Sequence, residues 1–363
     1  MNQPIPFQNQ GGRIMQVQER SLLTVIDGKD SVRWNSLLAG FSNTDIYFSH
    51  EYFMSALLLD EGEAMLFVFE NADGKIAYPV IKREIENEAN LEIYDITTPY
   101  GYGGPLISCS GNEQALLTEF RKEFDAYCQR HHIISEFTRF HPLLGNQQGF
   151  ENGMEISHVS DTVAIGLQQE GDLLSRIPGK NRNMIRKAMK NNIEIKKIST
   201  QDYLEEFILM YYDTMRRNSA PRYYFFTEDY FRKTIRLFGS DLHFFGAFLD
   251  GQMIAATLVL SQGKFMHYHL SGSLMAYRNL GANNLLLFKI AEWGQERGAE
   301  AFHLGGGYSG QDDSLFRFKK TFTQDAPLEF HIGKKTHNPA LYQMLCFEKE
   351  KDESSLYFPL YRA

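Results

Sequence analysis

A chain of 363 residues, 43% apolar and 23% charged, is long enough for two hydrophobic cores and has a globular composition, which excludes disordered and collagen-like classes. Its formal charge of −8 argues against a broad nucleic-acid surface, since phosphate binding rests on clustered Lys and Arg, so no DNA partner is expected. No apolar run approaches the roughly 20 residues that span a bilayer. Cys109, Cys128 and Cys346 form no C-x-x-C pair and no even framework, so a reducing, cytoplasmic setting is the expectation.

In chain order, "MNQPIPFQNQGGRIMQ" lacks the basic start and apolar core of a secretory signal. "YFSHEYF" (Tyr47 to Phe53) then opens a pattern that returns as "FFTEDYF" (Phe225 to Phe231). Downstream of each motif an Asp-Gly, at Asp73-Gly74 and again at Asp250-Gly251, sits between short apolar segments and predicts a β-hairpin. Each hairpin is followed by a strand, a helix and a strand. The first set is "LEIYDITTPY", "NEQALLTEFRKEFDAYCQRH" and "IISEFTRFHP"; the second is "KFMHYHLSGS", "ANNLLLFKIAEWGQERG" and "AEAFHLGGG". Leu286, Ile290 and Trp293 give the later helix its core-facing stripe, and Gly298 its stop. The expectation is therefore an α+β protein with two copies of one mixed unit, joined in the polar stretch "ENGMEISHVSD" near Glu151 to Asp161. Units at 1–158 and 159–335 would precede a C-terminal helix and docked tail at 336–363.

Several stretches carry candidate chemistry. Glycines 101, 103 and 104 in "TPYGYGGPLIS" allow close approaches, and Tyr100 and Tyr102 between them suit the wall of a ligand groove as well as a tight turn. "GKNRNMIRKAMKNN" places Arg182, Arg186 and Lys190 along one side of a helix, with Ile185, Ala188 and Met189 on the other. That cationic side reads equally as a solvated face or as a site for phosphate groups. His267 and His269 share one strand face, but no Cys or carboxylate stands near them in sequence, so no metal is expected. His131-His132 follow a helix end, where a histidine can complement the dipole. "YRNLGANN" resembles the R-x-x-G-x-[GA] loop of GNAT acetyltransferases, with Asn283 where the family has Gly or Ala. That resemblance marks Arg278, Gly281 and Ala282 as cofactor-binding candidates; an ordinary helix-opening turn is the other reading. Finally "HLGGGYSGQDDSLFRFKKTF" sets Gly305, Gly306, Gly307 and Tyr308 before a helix carrying Phe318 and Lys319. The expectation is that the glycines let substrate backbone approach while the lysine delivers positive charge.

In this order "GGPL", "RNMIRKAMKNN", "RYYFFTEDYF" and "HLGGGYSGQDDSLFRFKKTF" resemble the FemABX-type peptidyltransferases and their GNAT relatives, over roughly residues 40 to 335. The resemblance implies two tandem GNAT-like domains, each a mainly antiparallel sheet flanked by helices. It also implies transfer of an aminoacyl group from aminoacyl-tRNA to the stem-peptide amine of a UDP-linked or lipid-linked peptidoglycan precursor. Lys319 after Phe318 matches the family's Phe-Lys near the reaction centre, and Tyr268 a strand tyrosine facing the cleft. Arg222 with Tyr224 matches an Arg-aromatic segment, and Ser108 stands where several members have an aspartate. No tightly bound cofactor is implied; charged tRNA or acyl-CoA would be the co-substrate, and peripheral membrane contact stays open. Two other readings remain: an acyl-CoA-dependent N-acyltransferase acting on a sugar nucleotide or similar amine, and a non-catalytic binding module of the same fold. Any amide-forming enzyme of this kind must free an amine of pKa near 10.4 at a cost of about 4.6 kcal/mol at pH 7, and must then hold an oxyanion.

Overall fold

The computed structural model describes residues 23–168, 171–308, 313–350 and 355–363. The N-terminal stretch read above as lacking a signal, the central part of the glycine-led segment (309–312) and four residues of the tail (351–354) lie outside them.

The repeated motif is a pair of capped helix starts. After β1 (Leu23–Asp27) and α1 (Ser31–Leu38), the Ser49 hydroxyl accepts from the Tyr52 N–H and opens α2 (His50–Ala56). Both predicted hairpins form. In the first, β2 (Glu63–Asn71) and β3 (Gly74–Glu84) pair antiparallel around Asp73-Gly74, and Gly74, with φ +154°, is the first residue of β3, paired with Asn71. Then come β4 (Tyr94–Thr97), β5 (Leu106–Cys109), α3 (Glu113–Arg130) and β6 (Ile133–Arg139), with β4 and β6 parallel because the helix crosses between them.

The long β7 (Glu155–Gly166) leads into the second copy through α4 (Leu173–Arg176), α5 (Gly179–Lys190), β8 (Glu194–Lys197) and α6 (Thr200–Arg217). Here Thr227 repeats the role of Ser49, accepting from the Tyr230 N–H to open α7 (Glu228–Phe238). The hairpin of β9 (Leu242–Leu249) and β10 (Gln252–Gln262) follows, then β11 (Phe265–Ser273), α8 (Ala282–Glu296) and β12 (Ala301–Gly305), with β11 and β12 again parallel. After α9 (Ser314–Lys320), β13 (Leu328–Thr336) does not close the second sheet. It crosses back to pair with β6 and with the first half of β7, while the second half of β7 pairs with β12. One continuous sheet results, in the order β1-β2-β3-β4-β6-β13-β7-β12-β11-β10-β9-β8, with β5 beside β3. In the tail, α10 (Pro339–Glu348) packs on the sheet, and Tyr361 and Arg362 reach the buried Asp95 carboxylate.

The equivalent helices α2 and α7 pack on each other, with the Ser55 and Thr234 hydroxyls 3.2 Å apart in the seam. At its centre lies Asp45, fully buried. One carboxylate oxygen accepts from the Ile46 N–H, and the other is held by His141 Nε2 at 2.6 Å and His267 Nε2 at 2.7 Å, the latter from the second half. The carboxylate that His267 lacks in nearby sequence thus comes from 222 residues away. The three ligand-type atoms lie within 4.8 Å of one another, a set that could hold a metal; as they stand, both imidazoles are hydrogen bonded to the carboxylate.

Despite the desolvation that opposes it, Asp45 is held well below the usual carboxylate range by the two histidines. Burial, which opposes the Asp45 charge, also opposes imidazolium: His141 and His303 are lowered, and His243 and His269 fall to about 4. Groups with depressed folded values bind fewer protons folded than unfolded, so the stability they support is complete above about pH 6.5 and is lost as pH falls toward 4. The melting temperature should therefore drop between pH 7 and pH 5, before carboxylates titrate, and replacing buried His303 by Gln should flatten that drop. A melting curve independent of pH across this window would contradict the assignment.

Candidate active site

A cavity of about 450 Å³ opens where the two halves meet, and both contribute its walls. The first half supplies Tyr47, Tyr52, Tyr100, Gly101, Tyr102 and Arg139; the second supplies Tyr223, Tyr224, Tyr230, Tyr268, His269 and the 306–308 segment. Tyr52 and Tyr230 are the third helical residues of the two repeated caps, so the duplication itself aims one tyrosine from each side into the same space.

The tyrosines fix one another. The Tyr47 ring lies edge-on to Tyr52 at 4.6 Å and to Tyr102 at 5.2 Å. The Tyr52 hydroxyl donates to the Tyr100 carbonyl at 2.7 Å, and the Tyr100 and Tyr224 hydroxyls meet at 2.7 Å from opposite halves. Gly101 allows this: its φ is +111°, and a Cβ there would lie 2.6 Å from the Tyr52 hydroxyl and 2.7 Å from the Tyr47 ring. Burial pushes the Tyr268 hydroxyl up to about 12, so it stays protonated and available as a donor at neutral pH.

Lys319 sits under the floor of the cavity. It is 6% exposed; its Nζ donates to the Gly306 carbonyl at 2.6 Å and lies 5.7 Å from the centre of the Tyr268 ring. Burial lowers its pKa to about 8, against the pull of Asp313. The glycine run has a different local reason from the expected one. Asp313 caps α9 by accepting from the Phe316 N–H and also accepts from the Tyr308 N–H, and a Cβ on Gly307 would lie 2.5 Å from that carboxylate. Gly305 takes a left-handed φ of +76°, and its vacant Cβ position is 3.5 Å from Lys319 Nζ and 3.7 Å from the Tyr102 hydroxyl. The bare backbone makes room first for this chain's own aspartate and lysine.

Of the other residues singled out in sequence, Gly103 and Gly104 pack against Thr98 and Phe140 beside the cavity, and Phe318 stacks edge-on to Phe322 in the second core. Arg222 is exposed next to Tyr223 and Tyr224 and does not line the cavity. Arg182 and Arg186 lie on α5, away from it; Arg182 donates to the Ser175 carbonyl, and Met189, expected on the apolar side, is 38% exposed because Ile185 and Ala188 already fill that contact. Arg278 belongs to the short 3-10 turn before α8. Gly281, with φ +79°, is packed so tightly on α5 that a Cβ would lie 2.7 Å from the Met184 carbonyl; beside it Ala282 is buried, and Asn284 donates to Asn181 of α5. The helix start that resembles a pyrophosphate cradle packs against α5 at Gly281 and Asn284. Ser108 is exposed on β5 opposite Lys75, outside the cavity.

Two charged cavity residues escaped the sequence reading. Arg139 ends β6, and Asp60 follows α2; they are the charged residues among those lining the cavity. Asp60 follows the apolar end of a helix and Arg139 lies inside the strand pattern "IISEFTRFHP", so no local motif marks either one.

Residues 179–320 match the family model of the acetyltransferase (GNAT) domain. The UDP-N-acetylmuramoylpentapeptide-lysine N(6)-alanyltransferase of Weissella viridescens is 26% identical over 176 residues, which are 47% of this chain and 51% of the relative, so the match spans about half of the relative's length. Among solved structures, FemX superimposes with a TM-score of 0.67 at 12% identity, covering 89% of this chain and 99% of FemX. The C-terminal domain of a putative lysylphosphatidylglycerol synthetase from Agrobacterium fabrum does so with 0.52 at 15% identity, covering 88% and 95%. The mixed sheet with flanking helices, built twice, is the fold expected from sequence. Residues 179–320 are thus similar in sequence to the GNAT acetyltransferase domain, and nearly the whole chain shares the fold of FemX.

Proposed function

We propose that the chain transfers an aminoacyl group from aminoacyl-tRNA to an amine of a UDP-linked or lipid-linked peptidoglycan precursor, within the cavity between its halves. The two GNAT-like units at 1–158 and 159–335 would wall that cavity, with 336–363 as a C-terminal brace. The observation that carries the reading is Lys319: a buried ammonium beneath a substrate-sized cavity, fixed by the Gly306 carbonyl beside the Tyr268 ring. The alanyltransferase named above acts on such a precursor, and it matches this chain in sequence.

The chemistry follows from those groups. The acceptor amine attacks the carbonyl carbon of the aminoacyl ester, and a C–N bond forms as the carbonyl oxygen becomes an oxyanion. The C–O bond to the tRNA ribose then breaks, the ribose oxygen leaves as a hydroxyl, and the proton it gains is the one the amine gives up. Lys319 and the Tyr268 hydroxyl supply fixed donors for the oxyanion, and the tyrosine walls exclude water that would otherwise hydrolyse the ester. What speaks for tRNA over acyl-CoA is α5, whose Met184 carbonyl packs on Gly281 at the α8 start, while its exposed Arg186, Lys187 and Lys190 remain a cationic face for phosphates. The deciding measurement is mass spectrometry of envelope precursors from cells with and without the protein, followed by transfer with purified chain and charged tRNA. A precursor of unchanged mass in both would end the proposal.

Replacing Lys319 by Met should lower kcat by roughly 10²–10³, the usual loss for one oxyanion donor, while the melting temperature holds or rises because a desolvated amine is removed. If the ammonium is the working form, activity falls as pH rises through about 8, where Lys319 deprotonates. Lys319→Arg, which stays charged, should retain part of the activity and carry this alkaline limb upward by a unit or more. An alkaline limb unmoved in the arginine variant would assign it to another group.

A further inference from the structure

Arg139 and Asp60 stand out in a cavity otherwise walled by hydroxyls and rings. The Arg139 guanidinium is largely withdrawn from water, donates only to the Thr98 carbonyl at 3.4 Å, and lies over the Phe137 and Tyr100 rings at 4.6 and 5.9 Å. No carboxylate among the described residues lies within ion-pairing distance of it. Asp60 is half-buried and likewise forms no ion pair among the described residues; the cations acting on it are Arg83, itself paired with Asp95 at 2.8 Å, and Arg139. Burial raises the Asp60 pKa and lowers that of Arg139, the signature of two charges short of solvent and of partners. A desolvated charge kept without a partner is costly, and a ligand of opposite charge removes that cost.

We propose that Arg139 and Asp60 together read a zwitterionic end of the acceptor, a carbon bearing both an ammonium and a carboxylate, with the carboxylate on Arg139 and the ammonium on Asp60. The inference rests on the transferase reading above and narrows its acceptor. A lysine side chain offers an ammonium alone and leaves Arg139 unpaired; a diamino acid with a carboxylate on the amine-bearing carbon satisfies both. A phosphate is the poorer fit, because a dianion on Arg139 would also face the Asp60 carboxylate. The planar guanidinium accepts a carboxylate through two parallel hydrogen bonds, which orients the neighbouring amine as well as binding it. The cavity, about 450 Å³, falls at the lower end of the roughly 300–1,000 Å³ typical of small-ligand sites, which suits one end of a peptide rather than a whole precursor.

The test uses two UDP-linked pentapeptides identical except at the third residue, lysine in one and 2,6-diaminopimelate in the other. Binding is measured by calorimetry and transfer by mass spectrometry, with the full chain and with R139M, R139K and D60N. The diaminopimelate peptide should bind at least 10-fold more tightly to the native chain. R139M should bring the ratio between the peptides toward one, and R139K should restore part of it, which separates lost recognition from lost folding. Equal binding of the two peptides to the native chain overturns the proposal, as does R139M weakening both by the same factor. UDP alone should bind R139M as it binds the native chain; a loss there would make Arg139 a phosphate contact instead. Transfer without a preference defeats this inference and leaves the transferase reading standing, whereas a binding preference without transfer does the reverse.

Discussion

Asp45 brings a carboxylate into the seam between two halves of the chain and leaves it no water. Such a charge is tolerable only if fixed donors replace the solvent, and here three do: the Ile46 N–H, His141 and His267. Two donors come from its own half and one from the other, so the halves cannot part without depriving the charge of one of its three donors. A hydrogen bond to a charged group of this kind contributes about 1.5–3 kcal/mol. The cluster also props the cavity. The His267 ring lies 4.7 Å from Tyr47, and Tyr102 lies 5.8 Å from His141 and 5.0 Å from His303. Two walls of the candidate site therefore lean on the same residues that hold the halves in register.

The sheet acts in the same direction. β7 is shared: its first half belongs to a ladder with β13 and its second to a ladder with β12. Because β13 follows α9, the strand that completes the first half's sheet is reached only through the helix that carries Lys319. Lysine, glycine turn and return strand are thus strung on one short length of chain anchored at both ends. That anchoring gives a flexible side chain a defined place under the cavity floor.

Much of this was legible locally. The Asp-Gly hairpins and the stripe Leu286-Ile290-Trp293 are short-range signals, and each element they predict is present; the repeated motif marked the duplication, though not that Ser49 and Thr227 cap its helices. Tyr100, Tyr102 and the glycine run were marked by the pairing of aromatic rings with bare backbone, Tyr224 and Tyr268 only by the family resemblance; the four tyrosines, Gly306 and Gly307 line one space. What escaped depends on distance along the chain. No pattern near His267 points to Asp45, none near Arg139 to Asp60, and the crossing of β13 is decided by which sheet edge lies open after folding. The glycine run shows a subtler limit. Sequence says that a side chain is unwelcome at Gly307, but the intruder it must avoid is Asp313, six residues on in the same loop and helix cap.

The cavity's chemistry follows from how few charges it holds. Tyrosines furnish surface that is apolar along the ring and polar only at the tip, and the raised pKa values of buried ones keep that tip neutral. In such surroundings a charge is screened weakly and its orientation matters more than in water. Among the described residues three ionic groups remain, two facing the cavity and one beneath its floor, and they touch different neighbours: Lys319 meets Gly306 and Tyr268, whereas Arg139 meets Tyr100 and Phe137, with Asp60 near it. A neutral aromatic wall with few, separated charges favours a substrate whose own charges match that spacing over one that merely fills the volume. Selectivity would then come from leaving a guanidinium or carboxylate unpaired whenever the wrong amine enters, a penalty that shape alone does not impose.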